Sequence, residues 1–459
     1  MRRPKSLILR SVFMASAIGL AACAPSSLSE VASRAAQSPD LPPMKSFSTR
    51  EAPSSARSNA ELVEDFLELS FQMESGRVLP FMTRFKGPVR VGVIGRAPAS
   101  LEFDLSQLLV RLRREAGIDI SRAKPGEEAE IIIDAVPRKT LQRAVPQAAC
   151  FVVPNVTGWK EFRKNRNRGS TDWSKLAQRK RATIIIPSDV SPQEVRDCLH
   201  EEVAQALGPL NDLYRLPNSI FNDDNFHTVL TGFDMLILRA YYAPELRNGM
   251  SRAEARAALP ALFARINPAG QTRAQGSVSA TPQAWNQTIA QALGPRVPPA
   301  KRAKLAAEAV RIAQTQGWRD NRLAFSLFVQ GRVTLGQEPQ LAISSFVESG
   351  KLYRSLYGSS VQAAHVATQM AAFALSAGQY ETAVKMIDEA IPAARGGENA
   401  ALLATLLMIK AEAFDAMGRG DEARVVRLDA LGWGRYGFGS DANVRARLSE
   451  ISALTPRQG

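Results

Sequence analysis

Two oxygen-bearing side chains, Glu201 and Gln205, stand four residues apart in a stretch that reads as helix. At that spacing they share one helix face, about 6 Å apart along the axis, and both can reach one ion. Glu202 lies beside the first of them, where a general base would polarise an ion-bound water. Gly208 follows three residues after Gln205 and would let the chain turn sharply, so that Asn211 comes back as a third ligand. The chemistry this spacing serves is metal-assisted hydrolysis. The residue types serve it badly. Protein zinc sites use imidazole, thiolate and carboxylate, whereas Gln205 and Asn211 offer only neutral amide oxygens. Amide oxygens suit harder ions, but Ca²⁺ usually takes more oxygen ligands than these three provide.

The same spacing is that of the zinc-peptidase pattern H-E-x-x-H-x-x-G-x-x-H, with Glu201, Gln205 and Asn211 in the three ligand places and Glu202 and Gly208 kept. Starting the frame at His200 puts Ala204 at the second place, which cannot ligate, and Leu210 at the third. His227 and His365, the other two histidines, have no spacing relation to it. No metal is therefore expected. A second reading keeps zinc with atypical ligands and makes Glu202 catalytic.

Which elements would position this stretch follows from the apolar pattern. Val89 to Ile94, Glu130 to Ala135, Ala149 to Val153 and Thr183 to Ile186 read as strands, from their β-branched and apolar content. Glu61 to Gln72 and Leu101 to Arg114 carry apolar residues at helical spacing, and a further helix starts near Ser191. Mixed strands and helices in this order predict an α+β domain. Beyond Lys301 the chain turns Ala-rich and helical. Gly336, Gly378 and Gly418 precede Ala342, Ala383 and Ala423, and the alanines recur every 40 or 41 residues. Three tetratricopeptide-like hairpins or an irregular bundle fit this pattern.

The N-terminus carries an address. Arg2, Arg3, Lys5 and Arg10 precede a short apolar run, Ser11 to Leu20, too short to span a bilayer, and then Leu20-Ala21-Ala22-Cys23. This resembles the bacterial lipobox, which implies cleavage before Cys23, lipidation of that residue and anchoring to a membrane face. Ala24 rather than Asp after the cysteine is similar to chains sent to the outer membrane, facing the periplasm. Loss of the four signal cations lowers the formal charge from +14 to +10. A basic chain suits anionic partners, but export from the cytoplasm argues against nucleic acid. Cys150 and Cys198 remain, either as a disulfide, which an oxidising compartment favours, or as two separate buried thiols. The span Lys160 to Arg181 holds nine Lys or Arg residues around Trp159, Phe162 and Trp173. It reads as a solvated loop or as a patch for anionic envelope polymers.

Family resemblance adds to this. Pro217-Asn218-Ser219-Ile220-Phe221-Asn222 resembles the turn beneath the metal of metzincin peptidases, with Phe221 in place of its methionine. Leu230-Thr231-Gly232-Phe233-Asp234 resembles the start of the final helix of matrixin-type domains. Cys198-Leu199-His200-Glu201-Glu202, Asn211-Asp212 and Ser219-Ile220-Phe221-Asn222-Asp223 together resemble a proteobacterial envelope family, domain of unknown function 2927. The resemblance implies a zincin-like (metzincin-type) α+β domain; the all-α tetratricopeptide-like repeat domain expected after it lies outside the resemblance and rests on the spacing alone. The expected organisation is a signal over 1–22, a disordered Ser/Pro/Ala-rich tether over 23–58, the degenerate peptidase domain over 59–255, a linker over 256–300 and the repeats over 301–459. The expected role is binding of envelope proteins or peptides by the repeats, beside a peptidase-like domain without activity.

Overall fold

A computed structural model describes residues 41–48, 57–272, 280–294 and 296–456. The expected signal, Cys23 and most of the 23–58 stretch lie outside these residues.

The chain enters the fold at α1 (Asn59–Ser70), started by a capping box in which Ser58 and Glu61 bond each other's backbone N–H. β1 (Val89–Gly95), α2 (Leu101–Glu115), β2 (Ile120–Arg122) and β3 (Ile131–Val136) follow, then α3 (Arg138–Ala144), β4 (Phe151–Pro154), α4 (Trp159–Asn165) and β5 (Ala182–Pro187). The sheet order is β2-β1-β3-β5-β4. β1, β2, β3 and β5 run parallel, with Val91 opposite Ile131 and Ile131 opposite Ala182. β4 is the antiparallel edge, with Val152 opposite Ile184. β5 is buried along its whole length, as a central parallel strand of continuous apolar residues must be. The strand at Ile120 and the helices at Arg138 and Trp159 carry too few apolar residues to be read from the sequence pattern.

α5 (Pro192–Leu207) leaves the sheet with Ser191 as its N-cap and Pro192 in its first turn. α6 (Gly232–Tyr241) and α7 (Arg252–Ile266) complete this part, whose core gathers α1, α2, α5, α6, α7 and the sheet.

The helices after it are α8 (Gln283–Leu293), α9 (Pro299–Thr315), α10 (Asn321–Thr334), α11 (Pro339–Tyr357), α12 (Val361–Ser376), α13 (Tyr380–Gly396), α14 (Ala400–Ala416), α15 (Gly420–Phe438) and α16 (Asp441–Ser452). α10 with α11, α12 with α13 and α14 with α15 form hairpins. Ala342, Ala383 and Ala423 are each the fourth residue of the second helix, and each is fully buried where the helices cross. Gly378 and Gly418 turn two of the hairpins at φ +72° and +75°, a region that favours glycine. Pro392 sits inside α13.

Three expectations change. The 256–300 span is helical through Ile266 and again from Gln283, because Leu262, Phe263 and Trp285 are buried there. Residues 41–48 do not hang free: Phe47 stacks on Trp433 at 4.5 Å, and Lys45 donates its N–H to the Gly432 carbonyl. Leu41 and Phe47 are the apolar anchors in that Ser/Pro-rich stretch. The helical part is also not a separate body. Tyr214 and Phe226, from the loop after α5, belong to the helical core. The Tyr214 ring meets Trp285 edge-on at 5.1 Å, and Phe226 meets Phe328 at 5.2 Å and His365 at 4.7 Å.

Truncating Phe226 removes an aromatic anchor from that joint. Phe226→Ala is expected to cost about 3–5 kcal/mol, read by denaturant unfolding of the full chain; a loss below about 1 kcal/mol would contradict this account of the joint.

Candidate functional site

α5 is the element that carries the site. Its inner face, with Val195, Leu199, Val203 and Leu207, packs into the first core. Its C-terminal carbonyls would be orphans; here they are met by one buried guanidinium. Arg179 donates to the carbonyls of Gln205, Ala206 (2.7 Å) and Gly208, while its plane lies 4.7 Å from the Trp173 ring centre. Arg179 and Trp173 therefore do not belong to an exposed basic patch, although both fall in the basic span. Lys160, Arg163, Lys164, Arg166, Arg168, Lys175 and Lys180 are exposed, and Arg181 is half-buried.

Gly208 ends the helix at φ −164°, so it does not supply a left-handed turn. A side chain there would strike the Tyr241 ring, 2.9 Å from an added Cβ. The glycine is required by close packing.

The amide N–H groups at two of the expected ligand places are engaged with different partners. Asn211 turns to α1, where its amide donates to the Glu68 carbonyl at 3.0 Å. Gln205 donates to the Asp212 carboxylate at 3.4 Å. Glu201 instead shares its surroundings with Glu202. One oxygen from each lies with the Cys150 sulfur, all within 4.8 Å of one another. Cys150 is joined to Cys198 in a disulfide that pins the start of β4 to α5. The histidines are committed elsewhere. His200 is buried, and its Nδ1 accepts the Leu230 backbone N–H at 3.1 Å; burial, with Arg196 and Arg111 nearby, holds it well below its usual pKa. His227 bonds the Pro217 carbonyl at 2.9 Å, and His365 is close enough to it for the two rings to disfavour each other's charge.

The turn below α5 and the start of α6 are held by one carboxylate. Asp234 accepts from the Ser219 hydroxyl at 2.6 Å, the Ile220 N–H at 3.1 Å and the Thr231 N–H at 2.7 Å. Burial raises its pKa to about 6. Phe221, fully buried, packs under this turn in the first core.

Acidic partners complete the site that the spacing argument did not assemble. Burial raises Glu201 to about 8, and Glu74 and Asp223 push it the same way. Burial also raises Glu202 and Asp212 well above the carboxylate range, with Glu201 and Glu74 adding to both. Asp212 and Asp223 flank motif positions and could have been suspected; Glu74 lies far back in the chain after α1, and no local signal marks it. Such a cluster can hold protons at neutral pH or bind a hard cation. Among the described residues, no helix is long and apolar enough to cross a membrane.

Residues 59–261 match the family model described as Protein of unknown function (DUF2927), and this part of the chain belongs to that family. No curated protein matches the chain. A solved structure, the crystal structure of BtubC (BKLC) from P. vanneervenii, is similar at 15% identity over 46% of this chain and 75% of that one, with a TM-score of 0.28, a likeness too small to carry an argument.

The cluster sets a pH dependence. Where burial raises a carboxyl's pKa, the folded state holds more protons than the unfolded one between the two pKa values, so stability is full below the unfolded value and falls as pH rises. For Glu201 that window runs from about 4.5 to about 8. Each such group lowers stability by about 1.4 kcal/mol per pH unit within its window. In chelator-treated protein the Tm is expected to be lower at pH 8 than at pH 5, and Glu201→Gln to reduce the difference. A Tm that rises over this range would contradict the assignment.

Proposed function

We propose, with the family membership of residues 59–261 as premise, that this chain is an envelope lipoprotein whose metallopeptidase-like domain does not hydrolyse and whose helical hairpins bind proteins or peptides. Lipid on Cys23 would anchor it to the outer membrane, facing the periplasm. The observation that supports the reading is how the polar groups here are engaged: the Asn211 amide donates to the end of α1, the Gln205 amide to Asp212, and the neighbouring His200 serves the Leu230 backbone. A bound zinc water needs a cage of three converging ligands, and an amide-rich set is a poor one even when it converges.

Two further observations support it. The order of strands and helices up to α5 and the Asp234-held turn fit the zincin-like, metzincin-type resemblance. The loop from Asn211 to Leu230 serves as the joint to the helical part through Tyr214 and Phe226. On the helical side, a cavity of about 570 Å³ opens between α11, α12 and α13, lined by Phe346, Met370, Met386 and Arg354 among others. The flexible Met370 and Met386 side chains in this lining can adapt to varied side chains, which suits peptide capture.

Two alternatives remain in the same frame. One is an active zinc-dependent peptidase with Glu202 as base. The other is binding of anionic envelope polymers along Lys160 to Arg181, supported by the seven exposed cations there.

Protein purified without chelators is expected to carry less than 0.1 equivalent of zinc by mass spectrometry, a threshold about tenfold below one full site, and to cleave no member of a broad peptide library. Stoichiometric zinc together with hydrolysis that Glu202→Gln abolishes would replace the scaffold by an enzyme.

A further inference from the structure

We propose that one face of α15 is a peptide-binding groove, occupied here by residues 41–48 of the same chain. In trans it takes an extended segment of the same chemistry: an apolar residue, two prolines, a basic residue and an aromatic two places on. The groove is distinct from the cavity between α11, α12 and α13, and it stands whether or not that cavity captures peptides.

Four residues on one stripe of α15 meet the segment. Asp429, Gly432, Trp433 and Tyr436 stand at i, i+3, i+4 and i+7, which places them on one helix face. Each meets a different feature. The Asp429 carboxylate pairs with Lys45. Trp433 stacks on Phe47 at 4.5 Å, and Tyr436 meets the same ring edge-on at 6.4 Å. Gly432 lets another backbone reach the helix, and its carbonyl accepts the Lys45 N–H at 3.0 Å. A Cβ there would stand 3.1 Å from Lys45 Cγ and 3.3 Å from the Pro43 carbonyl oxygen. Beside the stripe, Arg435 donates to the Pro42 carbonyl at 3.0 Å. The Arg196 guanidinium of α5 lies 5.6 Å from the Phe47 ring centre, so the groove reaches the joint between the two halves.

The segment lies on α15 as a ligand does, and not as core. Leu41 is buried and Phe47 half-buried, while Pro43, Met44, Lys45, Ser46 and Ser48 are exposed. Apolar anchors, main-chain bonds and an exposed middle are how grooves hold extended peptides. Pro42 and Pro43 keep the chain extended before it docks, which lowers the entropy lost on binding. A ligand tethered in this way meets its site at an effective concentration in the millimolar range. It keeps out external peptides of micromolar affinity until it is displaced.

The test is fluorescence anisotropy with a labelled synthetic peptide of residues 41–48 on two forms of the full chain. One form is intact. The other is cut after folding at a protease site introduced within 49–56, so that the segment can leave. The peptide is expected to displace the cut fragment and bind that form one to one, and to bind the intact form at least about a hundredfold more weakly. Peptides carrying Lys45→Ala or Phe47→Ala should bind the cut form at least about tenfold more weakly, as loss of an anchor does. In the cut form Gly432→Ala should weaken the peptide about threefold or more by narrowing the groove. Because alanine raises helix propensity, that variant should be no less stable once the segment has left. Equal binding to both forms would place the peptide elsewhere and overturn the groove. A cut fragment that stays bound under about a hundredfold excess of peptide would show a fixed part of the fold, not a ligand, and would overturn it too. Alanine peptides that bind as tightly as the natural one would overturn the recognition pattern. Each of these failures leaves the zinc-free reading of α5 untouched.

Discussion

Removing several carboxyl groups from water on one helix, with no basic side chain to offset them, is the constraint around which this molecule is arranged. Glu201 and Glu202 lie together on α5 with Asp212 in the loop beyond it, and the neighbouring charges that act on them are negative. Left ionised, such a group is costly to bury. The fold tolerates the cluster because α5 is fixed by other means. Arg179 takes up its terminal carbonyls, the Cys150–Cys198 bond ties it to β4, and its apolar face is in the core. The cluster does not hold the helix; the helix holds the cluster.

α5 also joins the two halves. From its first turns, Gln193 accepts the Ala400 N–H at 2.8 Å and Arg196 pairs with Glu398, both from the start of α14. The loop after its last turn inserts Tyr214 and Phe226 among α8, α10 and α11 residues. Asn321 reaches the Tyr214 carbonyl and Gln362 the Pro217 carbonyl. A loop with these duties keeps the Asn211 amide on α1. Its Asn211 and Arg215 side chains point to α1, Arg215 pairing with Asp65 and Glu68.

Much of this was legible in the sequence where the signal was local. The β-branched runs marked β1, β3 and β5, the helical spacing marked α1 and α2, and the alanines 40 or 41 residues apart fell at equivalent places in three hairpins. β2 was too short, three residues, to show alternation. Gly208 was recognised as necessary, but for a turn rather than for the Tyr241 ring, since packing across the core leaves no mark in neighbouring residues. Arg179 lay among exposed cations and looked like one of them; only the fold shows that it closes a helix. Glu74 illustrates the same limit. It follows α1, whose end meets the loop after α5 where the Leu210 N–H donates to the Leu69 carbonyl.

The central proposal is that this chain carries the spacing of a zinc-peptidase motif without forming a zinc centre on it. Anomalous diffraction at the zinc edge, from crystals grown with equal zinc and calcium, tests it most directly. The account predicts no zinc peak between Glu201, Gln205 and Asn211, and the Asn211 amide on the Glu68 carbonyl. A zinc peak at bonding distance from those three side chains, with Asn211 swung away from α1, would contradict it.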